Sequence, residues 1–427
     1  MPLILPGYGV GVPVDRLTQA RRLDAEDPLA AFRDEFVIAE PDLVYLDGNS
    51  LGRLPKATRE RLHAAIDQEW GVDLVRGWDR WIGLAREVGD LLAGGVVEAA
   101  PGEVVLGDST SVNLYKLAVA ACDARPGRRV VVTDDDNFPT DRYVLEGVAA
   151  ARGMTLRVIP SGLDTGVTLA AVRDALDDDV ALVSLSHVAY RSGAIADLPG
   201  ITAAVHEAGA LMLWDLCHSA GAVPAPLRSA GVDLAVGCTY KHLNGGPGAP
   251  AFLYVRQDLQ AELRQPIWGW FGQRDQFAMG PAYDPAPSVD RFLVGTPPVL
   301  GGYGARCGIE LSAAAGIERI FAKGTALGDF AIELYDEWLA PHGFTLASPR
   351  SGRGAHVTLH HPAAWQISQA LRDASVIPDY RTPDRLRLGF APLYTRFEEV
   401  HEGFQRLRTI MEAESWLRFS ANRSRVT

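Results

Sequence analysis

The chain has 427 residues, 47% of them hydrophobic, and a formal net charge of −12. That length and apolar content suit one large domain with a smaller companion, and the acidic balance excludes nucleic acid and anionic membrane surfaces as main partners. Four cysteines (Cys122, Cys217, Cys238 and Cys307) form no CxxC pair and no spaced framework, so a reducing cytoplasm is expected and a disulfide scaffold is not.

Taken in chain order, the N-terminal "MPLILPGYGVGVPVDR" has an apolar patch without a basic start, which reads as no signal peptide. No apolar run is long enough to span a bilayer. The stretch from about 15 to 40 interleaves charges with Leu, Ala and Phe at helical spacing and predicts a helix. "VYLDGNSLGRLP" is a short strand entering a turn-rich loop, and 56–98 reads as helix with breaks at Gly71, Gly77 and Gly83.

From about residue 100, strands alternate with helices. The strands are "GEVVLGDS", "RRVVVTDD", "TLRVIP", "VALVSLSHV", "ALMLWDL", "DLAVGCTY" and "PAFLYVRQ"; only a glycine-rich stretch separates the last two. Continuous apolar strands alternating with helices predict an α/β fold with a mainly parallel sheet covered on both faces. After about 300, two long helices precede the short strands "FTLASP", "AHVTLHH" and "RLRLGF", a smaller α+β domain with a frayed polar tail. The expected division is 1–65, a segment packing with the small domain, then 66–300 and 301–427.

Ligands of open α/β sheets bind at the carboxyl ends of the strands. Asp215 closes "ALMLWDL"; alone it reads equally well as a turn or cap aspartate. Lys241 follows the next strand in "GCTYKHLNGGPGAP", a tight apolar turn that favours the free amine, and such a lysine forms a Schiff base with an aldehyde. Pyridoxal 5'-phosphate requires such a lysine, a carboxylate for its ring nitrogen, donors for its phosphate and a flat group against its ring. "GDSTS" supplies Ser109, Thr110 and Ser111 at a strand-to-helix junction, which is also an ordinary helix cap. Phe138 in "DDDNFPTDRY" is placed to stack, although a lone Phe is more often core. Tyr240 offers a hydroxyl and His218 follows Asp215 by one turn. Competing motifs fail: "GPGAPA" leads into a strand, "GDSTS" lacks the final glycine of a GxSxG elbow, and adjacent His360 and His361 point to opposite faces of a strand, a poor metal pair. No metal site is expected.

Together "VYLDGNSLGRLP", "LWDLCHSAGAVP", "GCTYKHLNGGPGAP" and "WGWFG" closely resemble the kynureninase family, pyridoxal-phosphate enzymes of the aminotransferase type I fold, across about 45–395. The resemblance implies hydrolysis of L-kynurenine, and of its 3-hydroxy form, to anthranilate and L-alanine. Its alternatives are another enzyme of the same fold (an aminotransferase or a cysteine desulfurase) and a binding protein without turnover. It implies that Lys241 is the Schiff-base lysine, Asp215 the ring-nitrogen partner and Tyr240 an acid/base group. Thr110, Ser111, Phe138, Pro139, Thr140, Asp141, Ser186, His218, Trp270 and Thr296 become cofactor contacts, the last two from the neighbouring subunit of a homodimer. Thr296 stands where relatives favouring the 3-hydroxylated substrate carry asparagine. Arg387 becomes the clamp for the substrate α-carboxylate, and Asn49 and Trp78 line the substrate pocket.

Overall fold

The computed structural model describes residues 15–422. The apolar N-terminal patch and the end of the polar tail therefore lie outside the described residues. The chain enters through α1 (Arg16–Ala25), a 3-10 turn (Ala30–Glu35) and β1 (Val44–Tyr45). The single helix expected over 15–40 is thus two pieces. Glu26 closes α1, and Pro28, which carries no amide hydrogen, cannot continue it. Helix α2 (Lys56–Ala64) widens into a π-turn (Ala65–Asp73), followed by α3 (Trp78–Trp81) and α4 (Leu84–Gly95).

The alternating region forms β2 (Val104–Leu106), α5 (Thr110–Asp123), β3 (Val130–Asp134), α6 (Pro139–Arg152), β4 (Thr155–Ile159), α7 (Leu169–Asp174) and β5 (Val180–Ser186). It continues through α8 (Leu198–Glu207), β6 (Leu211–Asp215), β7 (Leu234–Gly237) and β8 (Phe252–Val255). These strands make one seven-stranded sheet in the order β2-β8-β7-β6-β5-β3-β4. Strands β3 to β7 are parallel to their neighbours, while β8 runs antiparallel to both β7 and β2. Every residue of β6, β7 and β8 is buried, which is why these strands read as unbroken apolar runs. The chain order turns back between β3 and β5, so their carboxyl ends form the crevice where α/β sheets bind ligands.

Beyond the sheet come α9 (Val299–Ala315), α10 (Ile317–Leu334), β9 (Thr345–Leu346), β10 (His356–His360) and α11 (Ala364–Asp373). The last elements are β11 (Val376–Ile377), β12 (Asp379–Arg381), β13 (Arg385–Gly389) and α12 (Phe397–Glu412). Strands β12-β13-β10-β9 form a second, antiparallel sheet. Helix α1 belongs with this part: Asp24 accepts the Phe397 and Glu398 amides at 2.8 and 2.9 Å, capping α12 from a distant point in the chain, and β1 pairs with β11. Helix α9, which the sequence reading gives to the small domain, instead contributes Tyr303, Ala305 and Ile309 to the large core. Along α9 and α10 the packing passes from the large core through a small cluster with Ala315 and Ile320 to the second core, which α10 joins at Leu327.

Helix α9 also presses on the loop that carries Lys241. A β-carbon at Gly308 would run into the Leu243 carbonyl, and one at Gly304 would crowd the Gly245 carbonyl. On the other side, Gly52 of the "GNSLG" stretch lies against the Lys241 carbonyl and the Asn244 side chain. These glycines let three backbone segments meet, which fixes the lysine loop from both sides.

Two substitutions with opposite expected signs test this packing. Gly308→Ala is expected to destabilise the protein by about 1–3 kcal/mol through overpacking against backbone. Gly94→Ala, within α4 and with nothing near its would-be β-carbon, is expected to stabilise by up to about 1 kcal/mol. Chemical unfolding of both variants measures the two signs.

Candidate active site

A cavity opens at the carboxyl ends of β3, β5, β6 and β7. Ser109, Thr110, Ser111, Phe138, Thr140, Asp141, Ser186, Asp215, His218, Tyr240 and Lys241 line it, all singled out from the sequence; Val188, Tyr190 and Cys217 complete the wall. Register explains the convergence. Ser186 pairs with Asp215 across β5 and β6, and Asp215 pairs with Val236 of β7, so three strand ends finish at one level.

Lys241 sits within 3.1 Å of His218, Nζ to Nε2. Burial, reinforced by the Lys241 charge, holds His218 well below the usual imidazole range. The ring is therefore neutral and its Nε2 accepts from the lysine. Its Nδ1 is buried without a protein partner. The chain has only four lysines. Lys56 is exposed, while Lys116 and Lys323 are buried against Asp108 and Asp27 at 2.6 and 2.7 Å. Lys241 alone meets a neutral imidazole in place of a carboxylate.

Across the cavity floor, Asp215 accepts the Cys217 amide at 2.6 Å and lies against Asp141. Burial first, then the neighbouring Asp215 charge, pushes the Asp141 carboxyl well above its ordinary range. Two carboxyls so close disfavour a second negative charge, which favours the protonated form of Asp141. Helix α5 begins at Thr110 with Ser109 as its cap, which turns amide hydrogens and the Thr110 and Ser111 hydroxyls toward the cavity mouth. Phe138 stands edge-on to Tyr190 at 5.3 Å, its ring partly exposed to the cavity. Burial raises the Tyr240 hydroxyl above the usual phenol range, so it keeps its proton.

This donor set fits pyridoxal phosphate: an amine, a carboxylate pair, hydroxyls and amides at a helix start, an aromatic wall and one unpaired buried imidazole nitrogen. Sequence reasoning missed Asn137. Its Oδ1 accepts from Ser186 Oγ and from the Phe138 amide, both at 2.8 Å, and so ties β5 to the Phe138 turn. Its place directly before "FPTD" was the available signal.

Five expected residues lie elsewhere. Pro139 does not line the cavity; it starts α6 as the first helical residue. Trp78 packs edge-on against Trp81 and Trp270 at 5.9 and 6.1 Å, in an aromatic cluster outside the cavity. Trp270 shares that cluster, and Thr296 is exposed on a separate loop. Asn49 is fully buried beside Gly389, its side-chain amide without a partner. The sixth, Arg387, sits one layer behind the wall. It is fully buried and donates Nη1 to the Tyr190 carbonyl at 2.6 Å. Among the described residues, no group of three or more His, Cys, Asp or Glu is placed to hold a metal.

Two family models match. "Aminotransferase class-V" covers residues 99–356 and "Kynureninase C-terminal domain" covers 320–407. A kynureninase of Pseudomonas fluorescens is 44% identical over 92% of this chain and 95% of its own length. One of Burkholderia pseudomallei is 44% identical over 93% and 96%. Among solved structures, a cysteine desulfurase of Thermococcus onnurineus has a TM-score of 0.78 at 20% identity, covering 90% of this chain and 98% of its own, a likeness of fold alone.

Asp47, in the same loop as Asn49, gives a pH test. Burial and the nearby Asp379 push its carboxyl up to about 6. Between about pH 4 and 6 the folded chain thus holds more protons at this group than the unfolded chain, so Asp47 makes stability fall as pH rises through that window. Asp47→Asn removes this slope. The variant should gain stability relative to wild type from pH 4 to 6, with the difference constant above, as measured by urea unfolding at each pH.

Proposed function

This chain belongs to the kynureninase family, and from that premise we propose that it hydrolyses L-kynurenine to anthranilate and L-alanine with pyridoxal 5'-phosphate. The single observation that carries the reading is the cavity that gathers Lys241, His218, the Asp141–Asp215 pair and the α5 hydroxyls at one level. When bound, the cofactor draws electrons from the Cα and Cβ of an attached amino acid, so that the Cβ–Cγ bond breaks once water has added at Cγ.

The chain's own groups do the rest. Lys241 would hold the cofactor through its amine, and that same amine is the base that would take the Cα proton. His218 is a neutral acceptor 3.1 Å from that amine and keeps the nitrogen oriented. Asp215 backs the ring nitrogen, and the proton shared with Asp141 leaves one net negative charge there rather than two. Thr110 and Ser111, with the α5 amides, hold the phosphate. Phe138 covers one ring face and Ser186 reaches the ring oxygen. Tyr240 retains its proton and so serves as the acid at the carbonyl being cleaved. Arg387 takes the α-carboxylate.

A desulfurase reading needs a cysteine on an accessible loop, and all four cysteines are buried.

We further infer a cytoplasmic homodimer that completes each cavity. Exposed apolar side chains gather on two neighbouring stretches, Trp70, Leu74 and Val75 on one and Trp268, Phe277 and Met279 on the other. The Trp78–Trp270 contact joins them. That surface is wide enough to mark an interface, and it would carry Trp270, Thr296 and Trp78 toward the neighbour's site. No helix among the described residues is long and apolar enough to cross a membrane.

Anthranilate fluorescence tests the reading with L-kynurenine and its 3-hydroxy form side by side. Wild type should release anthranilate from L-kynurenine, and Lys241→Ala should lose at least about 10³-fold in kcat. Full turnover by Lys241→Ala would contradict the role given to that residue. Light scattering should return twice the chain mass of 46.1 kDa.

A further inference from the structure

Arg387 is a buried cation held by three oxygens, of which only that of Asp379 carries a charge. On the small sheet, β12 and β13 run antiparallel with Asp379 directly opposite Arg387. Asp379 Oδ2 accepts from Arg387 Nη2 at 2.5 Å and from Arg381 Nε at 2.7 Å. Arg381 lies two residues beyond Asp379, so both project from the same face of the strand. The side chains of Arg387 and Asp379 are 1% and 3% exposed, whereas Arg381 is 30% exposed and reaches toward solvent. Arg387 also gives Nη2 to Ser50 Oγ at 2.8 Å and Nη1 to the carbonyl of Tyr190, a residue whose side chain lines the cavity. Its Nε is buried without a partner.

We propose that Asp379 is the positioning residue for recognition of the substrate's α-carboxylate: it fixes Arg387 in one orientation and joins Arg381 to it, so that the incoming anion meets a preset pair of guanidiniums. The inference rests on the reading that Arg387 takes that carboxylate. The physical reason is twofold. A guanidinium buried to this degree is unfavourable without a counter-charge, and Asp379 supplies it. A long flexible side chain also loses rotamer freedom on binding, and a group already held by three partners has little left to lose. These partners leave the Nε hydrogen and one Nη1 hydrogen unused, and Nε, buried without any partner, is a group that a bound carboxylate would satisfy. Ser50 and Tyr190 lie on different segments from Asp379, so the arginine is braced by the N-terminal loop, the large domain and the small sheet at once.

Asp379→Asn in the holoenzyme is the test, since it keeps shape and one carbonyl acceptor and removes the charge. KM for L-kynurenine should rise about tenfold or more, the size of one charged hydrogen bond lost, while kcat changes by less than about threefold. Inhibition by 2-aminoacetophenone, which keeps the aryl ketone of the substrate and carries no carboxylate, should keep its wild-type constant. L-Alanine binding, read as a change in cofactor absorbance without turnover, should weaken by the same factor as KM. Asp379→Glu restores the charge from a longer side chain and should fall between wild type and Asp379→Asn; it also serves if the Asn variant does not fold. An unchanged or lowered KM with unchanged L-alanine binding in a folded variant would overturn the proposal, and so would an equal weakening of 2-aminoacetophenone. If wild type failed to turn over kynurenine while Asp379→Asn still weakened L-alanine, the substrate reading would fail and the positioning role would stand.

Discussion

A lysine amine held by a neutral imidazole, beside a carboxyl pair that keeps a proton, is the constraint on which the site depends. Both features need burial. In water His218 would titrate near neutrality and Asp141 would be ionised; at the crowded ends of β5, β6 and β7 neither is. The sheet provides that burial, since β6 and β7 are buried along their whole length and β5 along all but its last residue, and the three end at a common level. The glycines of α9 and of the "GNSLG" stretch then press the lysine loop from either side. The crowding around Lys241 thus has a physical role: it fixes the backbone that presents the amine to the cavity.

Much of this was legible in the sequence because period and position are local properties. The apolar runs of β3 and β5 to β8 report two-sided burial directly, and the residues that end β6 and follow β7 are the ones that reach the cavity. The hydroxyls at Thr110 and Ser111 follow from a strand-to-helix junction, which any reader of caps and turns can place. What failed was non-local. Nothing around residue 300 shows that α9 packs on the large core, because its apolar face suits either domain; only Tyr303, Ala305 and Ile309 meeting α4 and the sheet decide it. The broken helix over 15–40 was readable at Pro28 and was passed over.

Arg387 shows the same limit at the site itself. Its residue type and surroundings in "RLGFAPLY" point to a carboxylate clamp, yet its place one layer behind Tyr190 depends on Asp379, Ser50 and the Tyr190 carbonyl, three partners scattered over more than 300 positions of sequence. Asn137, Asp47 and Asp379 went unremarked for the same reason: each acts by holding another side chain. Trp78, Trp270 and Thr296 fall outside the cavity of their own chain.

Borohydride reduction of the holoenzyme followed by peptide mapping addresses the central claim most directly, because the chain offers only four lysines. The account predicts the cofactor's mass fixed on the peptide that contains Lys241 and on no other. Finding it on Lys116, Lys323 or Lys56 instead would contradict it.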